Sequence, residues 1–191
     1  MAHEEMEKID RLILRKIQRR INEIGNLVWS ERQEAVSMEL AETGAHLTLA
    51  EAKRLRYRRV SAGQMWGKPW GTGWFRLRFE VPRAFRGEEV HLLFYPQAEC
   101  ILFVEDEPRQ ALDANHREAV LCERAKGGES LAIYVEAGCN DAFGSFQKRQ
   151  VTAASIAVFN RDIWDAWWDL QCLADMLVED RYRNYLSLIH I

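Results

Sequence analysis

The feature that most constrains the fold is a tryptophan- and glycine-rich stretch that leads directly into a segment of alternating residues. Residues 66–75 contain three tryptophans, three glycines and one proline, a composition typical of an irregular loop packed by indole rings. From Phe75 to Val81 every second residue is apolar, the residues between them are charged, and Pro82 follows. This period of two predicts a half-buried β-strand that ends at the proline.

Short alternating segments continue along the chain as far as Phe159, with turns between them. No stretch among them is long enough for the helical crossover that a parallel sheet requires. The predicted fold class is therefore α+β and mainly β, an antiparallel β-sandwich or jelly roll of the galactose-binding-like kind. The further strand candidates are Glu89–Tyr95, Cys100–Val104, Arg117–Cys122, Leu131–Val135 and Val151–Phe159.

Apolar residues recur at helical spacing near both ends of the chain. Residues 3–29 are predicted to form an amphipathic helix, and a second, aromatic-rich helix is predicted to begin after Asn160, which can serve as its N-cap. If the chain ended with this second helix, a broad apolar face would be exposed, so we expect a further segment to cover it. The two stripes are Met6, Ile9, Ile13, Ile17, Ile21, Ile24 and Val28, and Ile163, Trp164, Trp167, Trp168, Leu170, Ala174 and Leu177.

The residues between the first helix and the tryptophan-rich loop carry weaker signals. Residues 30–33 are predicted to form a turn, and Thr48 with Glu51 predicts a capping box at the start of a short helix. The sequence thus predicts an N-terminal helical segment over 1–65, a β-sandwich domain over 66–159 and a connecting helix over 160–191.

Composition and charge limit the classes of function. Hydrophobic residues make up 48% of the chain, charged residues 29%, and the net charge is −3, so neither nucleic acid nor an anionic membrane is expected as a partner. The N-terminus lacks the apolar core of a signal peptide. Four cysteines occur without a Cys-x-x-Cys pair, which indicates free thiols in a reducing compartment. These features predict a cytoplasmic location.

No catalytic or metal-binding motif occurs in the sequence. A phosphate-binding glycine loop after a strand, Gly-x-Ser-x-Gly and His-Glu-x-x-His are all absent, and the five histidines have no ligand-like spacing. We therefore predict no catalytic and no metal residue in this chain.

Five residues are candidate contacts to a sugar or to a neighbouring domain. Trp66, Trp70 and Trp74 present aromatic rings that can stack on a pyranose, or can form a packing seam between the sheet and another element. The seam is favoured for Trp70 and Trp74, and both interpretations remain open for Trp66. Asn115 and His116 lie in a polar loop that can contact a ligand, although such loops more commonly satisfy their own backbone.

Several stretches together resemble one known family. Residues 71–82, beginning Gly-Thr-Gly-Trp-Phe, and residues 87–94 are similar to the N-terminal β-domain of the cytosolic and vacuolar type of α-mannosidase, glycoside hydrolase family 38. The chain departs from the family pattern at 95–100, which lacks a glycine-rich stretch, and at 105–108, which lacks a turn glycine. Four further stretches match in the same order: 103–112, 115–118, 131–140 and 157–164.

The resemblance implies a longer enzyme. In the family, this domain precedes a β/α barrel that binds a divalent metal, usually zinc, through a His-x-Asp pair, the nucleophilic aspartate and another histidine. The implied activity is the retaining hydrolysis of terminal α-mannosides. The barrel motifs do not occur in this sequence. We therefore expect an N-terminal, non-catalytic part of an α-mannosidase, truncated before the barrel and inactive alone.

The implied partners are the missing catalytic barrel, mannose-containing oligosaccharides bound by the full-length enzyme, and further copies of the chain in a homo-oligomer. Two alternative functions remain open at this point. One is a free-standing carbohydrate-binding module, and the other is a structural or oligomerisation domain.

Overall fold

The computed structural model describes the backbone of residues 2–140 and 145–189, and the side chains of residues 12–140 and 145–177. It confirms the predicted fold class, since antiparallel sheets dominate the described part and helices flank them. The chain divides into two compact units, Glu31–Phe159 and the combination of Met1–Ser30 with Asn160–Ile191. The first is the β unit and the second the helical unit.

The secondary structure of the described residues follows this order along the chain. The helices are α1 (Ala2–Gly25), α2 (Leu49–Ala52) and α3 (Arg161–Ile189), and a 3-10 turn spans Arg83–Phe85. The strands are β1 (Trp29–Glu34), β2 (Ser37–Thr43), β3 (Arg58–Arg59), β4 (Met65–Trp66), β5 (Thr72–Glu80), β6 (Val90–Leu93), β7 (Cys100–Val104), β8 (Glu107–Leu112), β9 (Glu118–Cys122), β10 (Ser130–Gly138), β11 (Arg149–Gln150) and β12 (Ser155–Phe159).

The strands form two larger sheets and one small one. The six-stranded sheet has the order β3-β2-β5-β10-β7-β8, the four-stranded sheet has the order β1-β12-β6-β9, and β11 pairs with β4. The predicted strand β5 is central to the six-stranded sheet, because it pairs along its whole length with β10 and along seven residues with β2.

The strand register defines one end of the six-stranded sheet. Thr72 at the start of β5 is paired with Thr43 at the end of β2 and with Gly138 at the end of β10. Further along the sheet, Cys100 at the start of β7 is paired with Leu112 at the end of β8. The loops attached at these positions therefore share one end of the sheet. We call this end the rim; it comprises residues 66–71, 95–99, 113–117, 139–140 and 145–148.

The hydrophobic core lies between the two larger sheets. The alternation seen in the sequence places Phe75, Leu77 and Phe79 of β5 on the inner face, where each is at most 1% exposed. The four-stranded sheet contributes Leu92 and Ile156, which are also fully buried in the same cluster. Burial of apolar side chains from both sheets is the main force that holds such a sandwich together.

The outer face of β5 carries a second, smaller set of contacts. Arg76 lies on this face with its guanidinium 4.4 Å from the centre of the Tyr57 ring, while Lys53 lies over Tyr134 of the neighbouring strand. The short helix α2 precedes Tyr57 and begins with the predicted capping box, in which Thr48 and Glu51 bond each other's backbone N–H groups. The segment containing α2 therefore lies against this face of the sheet.

The structure differs from the sequence prediction between residues 29 and 65. The sequence predicts a helical segment with a turn at 30–33 here, but β1 and β2 lie in this region and both belong to the sheets. Strand β2 reads Ser-Met-Glu-Leu-Ala-Glu-Thr, a composition with weak intrinsic strand preference. Its pairing with β5 and the complete burial of Leu40 outweigh that weak preference.

The helical unit contains α1, α3 and the residues that join them to the sheets. Its buried residues include Ile21 and Ala174, and Trp29 packs edge-to-face on Trp164 with 5.7 Å between ring centres. Asn160 caps α3 as predicted, since its Oδ1 accepts a hydrogen bond from the N–H of Ile163. The predicted stripe residues Met6 and Ile9 lie outside the described side chains.

The described part of α3 leaves several apolar side chains exposed. Leu170, Leu173 and Leu177 are between 38% and 57% exposed, and their spacing of three and four places them on one side of the helix. These exposures agree with the apolar face that the sequence predicts on this helix. No helix in the described ranges is both long and apolar enough to span a membrane.

Candidate functional site

The most exposed aromatic side chain of the described rim belongs to a tight turn at residues 68–71. The N–H of Gly71 donates to the carbonyl of Lys68 at 3.0 Å, with Pro69 and Trp70 between them. Trp70 has φ = +59°, in the left-handed region that favours glycine. Proline at the second turn position and a positive φ at the third are the signature of a type II turn.

Contacts from distant parts of the chain hold this turn. The N–H of Trp70 donates to Oδ1 of Asn140 at 2.7 Å, and the N–H of Cys139 donates to the carbonyl of Gly71 at 3.0 Å. Just before the turn, the N–H of Gly67 donates to a carboxylate oxygen of Glu42 at 2.9 Å. The turn is therefore tied to the end of β2 and to the residues after β10.

The structure places the three candidate tryptophans in three different environments. Trp66 is 2% exposed, donates its Nε1–H to the carbonyl of Pro96 at 3.1 Å and packs edge-to-face on Phe75. Trp74 is fully buried on the face of β5 opposite Phe75. Trp70 is 75% exposed. Only Trp70 among the three therefore offers an indole face to a ligand.

A glycine explains how Trp66 reaches the core. A Cβ atom on Gly73 would lie 2.5 Å from a ring carbon of Trp66, which is far inside van der Waals contact. Any larger residue at position 73 would therefore push the indole out of its place. The glycine-rich composition of this stretch thus serves the packing of Trp66 and the conformation of the turn.

Two adjoining cavities open beside the turn, and Glu42, Lys68 and Pro69 line both of them. The larger has a volume of about 400 Å³, with Met65, Lys68 and Lys148 among its lining residues. The smaller has a volume of about 140 Å³ and extends past Gly71. Sequence analysis did not single out these lining residues, because they come together only through the strand register and carry no shared motif.

The polar loop that contains Asn115 and His116 lies at the same end of the sheet. The carboxylate of Asp113 accepts hydrogen bonds from the backbone N–H groups of both residues, at 2.7 and 2.8 Å. The hydrogen bond from the N–H of His116 is the largest cause that lowers the pKa of Asp113. The strands that carry this loop and the Trp70 turn are three spacings apart, or about 14 Å. The loop therefore satisfies its own backbone, and the structure does not bring it to Trp70.

A buried arginine joins three segments of the rim. Arg149 is 4% exposed, and its guanidinium donates to the carbonyls of Gln97, Cys139 and Gln147. Because a buried guanidinium requires hydrogen-bond partners, these contacts fix the three loops relative to one another.

Cys139, which lies in the rim, is not an activated thiol. Burial raises the pKa of the Cys139 thiol, so the thiol stays protonated near neutral pH and is a poor nucleophile. No group of three or more His, Cys, Asp or Glu side chains in the described part of the chain could hold a metal ion. These side chains therefore do not form a site for the divalent metal that the resemblance implies.

Comparison with known proteins identifies the family. The family model described as the jelly roll domain of α-mannosidase matches residues 33–168. The chain is 29% identical to α-mannosidase 2C1 of Mus musculus over 172 residues, which cover 81% of this chain and 17% of the relative. It is 30% identical to α-mannosidase 2C1 of Homo sapiens over 164 residues, which cover 76% of this chain and 16% of the relative.

Among solved structures, a β-glucuronidase of Ruminococcus gnavus superimposes with a TM-score of 0.49 and 10% identity, covering 68% of this chain and 29% of that one. The chain spans about a sixth of the length of the curated relatives it matches. The match of the family model covers the end of β1, all strands from β2 to β12 and the start of α3, and hence most of both larger sheets. The chain therefore belongs to the family of α-mannosidase jelly roll domains.

Proposed function

We propose that this chain acts as the N-terminal, non-catalytic domain of an α-mannosidase whose full-length form hydrolyses terminal α-mannosides with retention. The reaction would serve the breakdown of oligosaccharides and glycans. The family match over residues 33–168 carries the proposal. The curated relatives support it, because both are named α-mannosidases and the chain matches 17% and 16% of their length.

In this proposal the reacting groups of the enzyme belong to a catalytic barrel outside residues 1–191. The sequence contains no His-x-Asp pair, which the resemblance implies for the metal site. A divalent metal such as zinc would supply Lewis-acid polarisation of sugar oxygens in that barrel. In this proposal no residue of this chain takes part in the reaction.

The contribution of this chain to the enzyme would be structural. The exposed leucines of α3 support a contact with the barrel, because apolar side chains at heptad-like spacing favour packing on another surface. In a homo-oligomer, the same leucines would pack against a second copy of the chain. A cytoplasmic location is part of the proposal and is supported by the four free cysteines, which a reducing compartment preserves.

An activity assay tests the proposal directly. The purified chain is incubated with an aryl α-mannoside in the presence of zinc or cobalt, and release of the aryl group is compared with a protein-free blank. We expect no release above the blank, because in this proposal the reacting groups belong to the catalytic barrel. A known α-mannosidase in the same buffer is the positive control.

Turnover by the purified chain would overturn the proposal. The DNA that encodes the chain offers an independent check, since an open reading frame that continues into a barrel with a His-x-Asp pair is expected. A frame that continues into an unrelated domain would contradict it.

A carbohydrate-binding function is the second candidate, and one observation favours it. The indole of Trp70 is 75% exposed, and exposed aromatic rings are surfaces on which sugar rings can stack. This function is compatible with a non-catalytic domain of a larger enzyme.

A further inference from the structure

The larger of the two cavities beside the turn has the size and the apolar walls of a small-molecule site. Its volume of about 400 Å³ lies within the range of about 300–1,000 Å³ that such sites have. Trp66 offers only ring carbons to the cavity, because its Nε1–H is already donated to the carbonyl of Pro96. A ligand that fills this cavity must therefore carry an apolar body. The apolar lining residues are Met65, Trp66, Pro69 and Phe146.

The charge of Glu42, which also lines the cavity, is compensated within the protein. Its Oε1 accepts a hydrogen bond from the N–H of Gly67 at 2.9 Å, and its Oε2 accepts one from the guanidinium of Arg58 at 3.1 Å. Both carboxylate oxygens therefore have partners, and Arg58 balances the negative charge. Glu42 does not determine which charge the cavity attracts.

Two lysines give the cavity a positive charge. Lys68 and Lys148 both line it and are exposed, and within the described residues neither of them forms an ion pair. The two ammonium groups repel each other, whereas an anion between them is attracted by both. A cleft lined by charge of one sign also concentrates ions of the opposite sign. The charge of the cavity therefore favours an anionic ligand.

The backbone that carries the two lysines is held in place. Trp66 of β4 pairs with Arg149 of β11, so Lys68 and Lys148 extend from one two-stranded ribbon. The buried guanidinium of Arg149 also donates to the carbonyl of Gln147, directly before Lys148. Because this backbone is already fixed, a ligand loses less free energy in ordering it.

We propose that the larger cavity binds a small organic phosphate, with the phosphate group between Lys68 and Lys148 and an apolar body against Met65, Pro69 and Phe146. A phosphate monoester carries a charge of about −1.5 to −2 near neutral pH and so matches two ammonium groups, whereas a carboxylate matches only one. This inference goes beyond the proposed function and does not rest on it.

The test is a titration of the full chain with phenyl phosphate, followed through the backbone N–H signals in NMR spectra. We expect saturable binding with a dissociation constant on the order of 1 mM, as is typical of a ligand of this size, and the largest shifts at the cavity, including those of Gly67 and Phe146. Three comparison ligands separate the contributions. Inorganic phosphate lacks the apolar body, benzoate carries a single charge and benzyl alcohol carries none, so each should bind more weakly than phenyl phosphate.

Substitution of the lysines locates the phosphate. Lys68→Met and Lys148→Met keep most of the aliphatic chain but remove the charge, so each should weaken the binding of phenyl phosphate about three- to fivefold, the contribution of an exposed ion pair. The binding of benzyl alcohol should not change. Lys126→Met is the matched control, because Lys126 is exposed in the turn before β10, at the other end of the six-stranded sheet. It should bind like the unmodified chain, and all three variants should keep its melting temperature.

Four results would overturn the inference. They are no saturable binding of phenyl phosphate at tens of millimolar ligand, equally tight binding of any comparison ligand, unchanged binding in both Lys68→Met and Lys148→Met, and equal weakening by Lys126→Met. Each of them leaves the proposed function intact. Turnover of an aryl mannoside would remove the proposed function and leave the binding of phenyl phosphate unaffected.

Discussion

At the scale of single residues, Arg149 shows how one buried charge can organise several loops. Its guanidinium donates to carbonyls at positions 97, 139 and 147, and the side chain is almost completely buried. A buried guanidinium needs such acceptors, because an unpaired charge away from water is costly. The arginine thus determines the shape of the rim on which Trp70 is presented.

Replacing Arg149 by methionine should destabilise the protein strongly. Methionine fills a similar volume but cannot donate to the three carbonyls, so we expect the free energy of unfolding to fall by about 3 kcal/mol. Urea unfolding followed by circular dichroism measures the change. Arg124→Met is the control, because Arg124 is exposed, and it should alter stability by less than about 0.5 kcal/mol. An unchanged urea midpoint in Arg149→Met would contradict the assigned role.

At the scale of secondary-structure elements, one ion pair joins β2, which the sequence did not predict, to β5, which it did. Glu39 of β2 lies directly opposite Arg76 of β5, and their side chains are 2.7 Å apart. The hydrogen bond from Arg76 is the main cause that lowers the pKa of Glu39 below its ordinary value. The same interaction raises the pKa of Arg76.

Because the pKa of Glu39 is lower in the folded protein, the stabilising effect of its ion pair should be lost in acid. Because the folded-state pKa lies below the unfolded value, the pair stabilises the fold above the unfolded pKa and loses its effect as the pH falls through the folded pKa. Glu39→Gln should therefore lower the free energy of unfolding by about 1 kcal/mol at neutral pH, and the difference from the unmodified protein should shrink toward zero in acid.

Chemical denaturation at a series of pH values from neutral to strongly acidic measures this dependence. Glu80→Gln provides the control on the same strand, since Glu80 is exposed and its variant should follow the pH profile of the unmodified protein. A constant difference between Glu39→Gln and the unmodified protein at every pH would show that the ion pair is not responsible.

At the scale of the whole molecule, the hydrophobic core is contained in one continuous part of the chain. All buried members of the core cluster lie between Leu40 and Ile156, within the β unit. A domain with its own core can fold independently. We therefore expect the β unit to fold without α1 and α3.

A fragment of residues 29–159, which keeps β1 whole, should unfold in a single cooperative transition with a near-ultraviolet circular dichroism signal. A fragment of residues 66–159, the domain predicted from sequence, should not do so. It lacks β2, so β5 would lose a paired edge along seven residues and the core would lose Leu40. Cooperative folding of residues 66–159, or a lack of cooperative folding in residues 29–159, would refute the conclusion that the β unit contains a complete core.

Several elements could be predicted from the sequence because their signals are local. The alternation from Phe75 to Val81 is a property of seven adjacent residues, and it defines the inner face of the sheet. The capping box of Thr48 and Glu51 requires only a spacing of three, and Asn160 caps α3 through a residue three positions away. The jelly roll class followed from the number and spacing of such segments, and the resemblance agreed with it.

The sequence by itself thus determined the type of each strongly periodic element, because backbone geometry converts a repeat of two or of three to four residues into a strand or a helix. It did not determine which tryptophan faces solvent. Tertiary structure decided this, because Trp70 is held by an amide 70 positions away, while Gly73 and the carbonyl of Pro96 draw Trp66 into the core. Contacts between residues so distant in sequence depend on strand register, which no local pattern encodes.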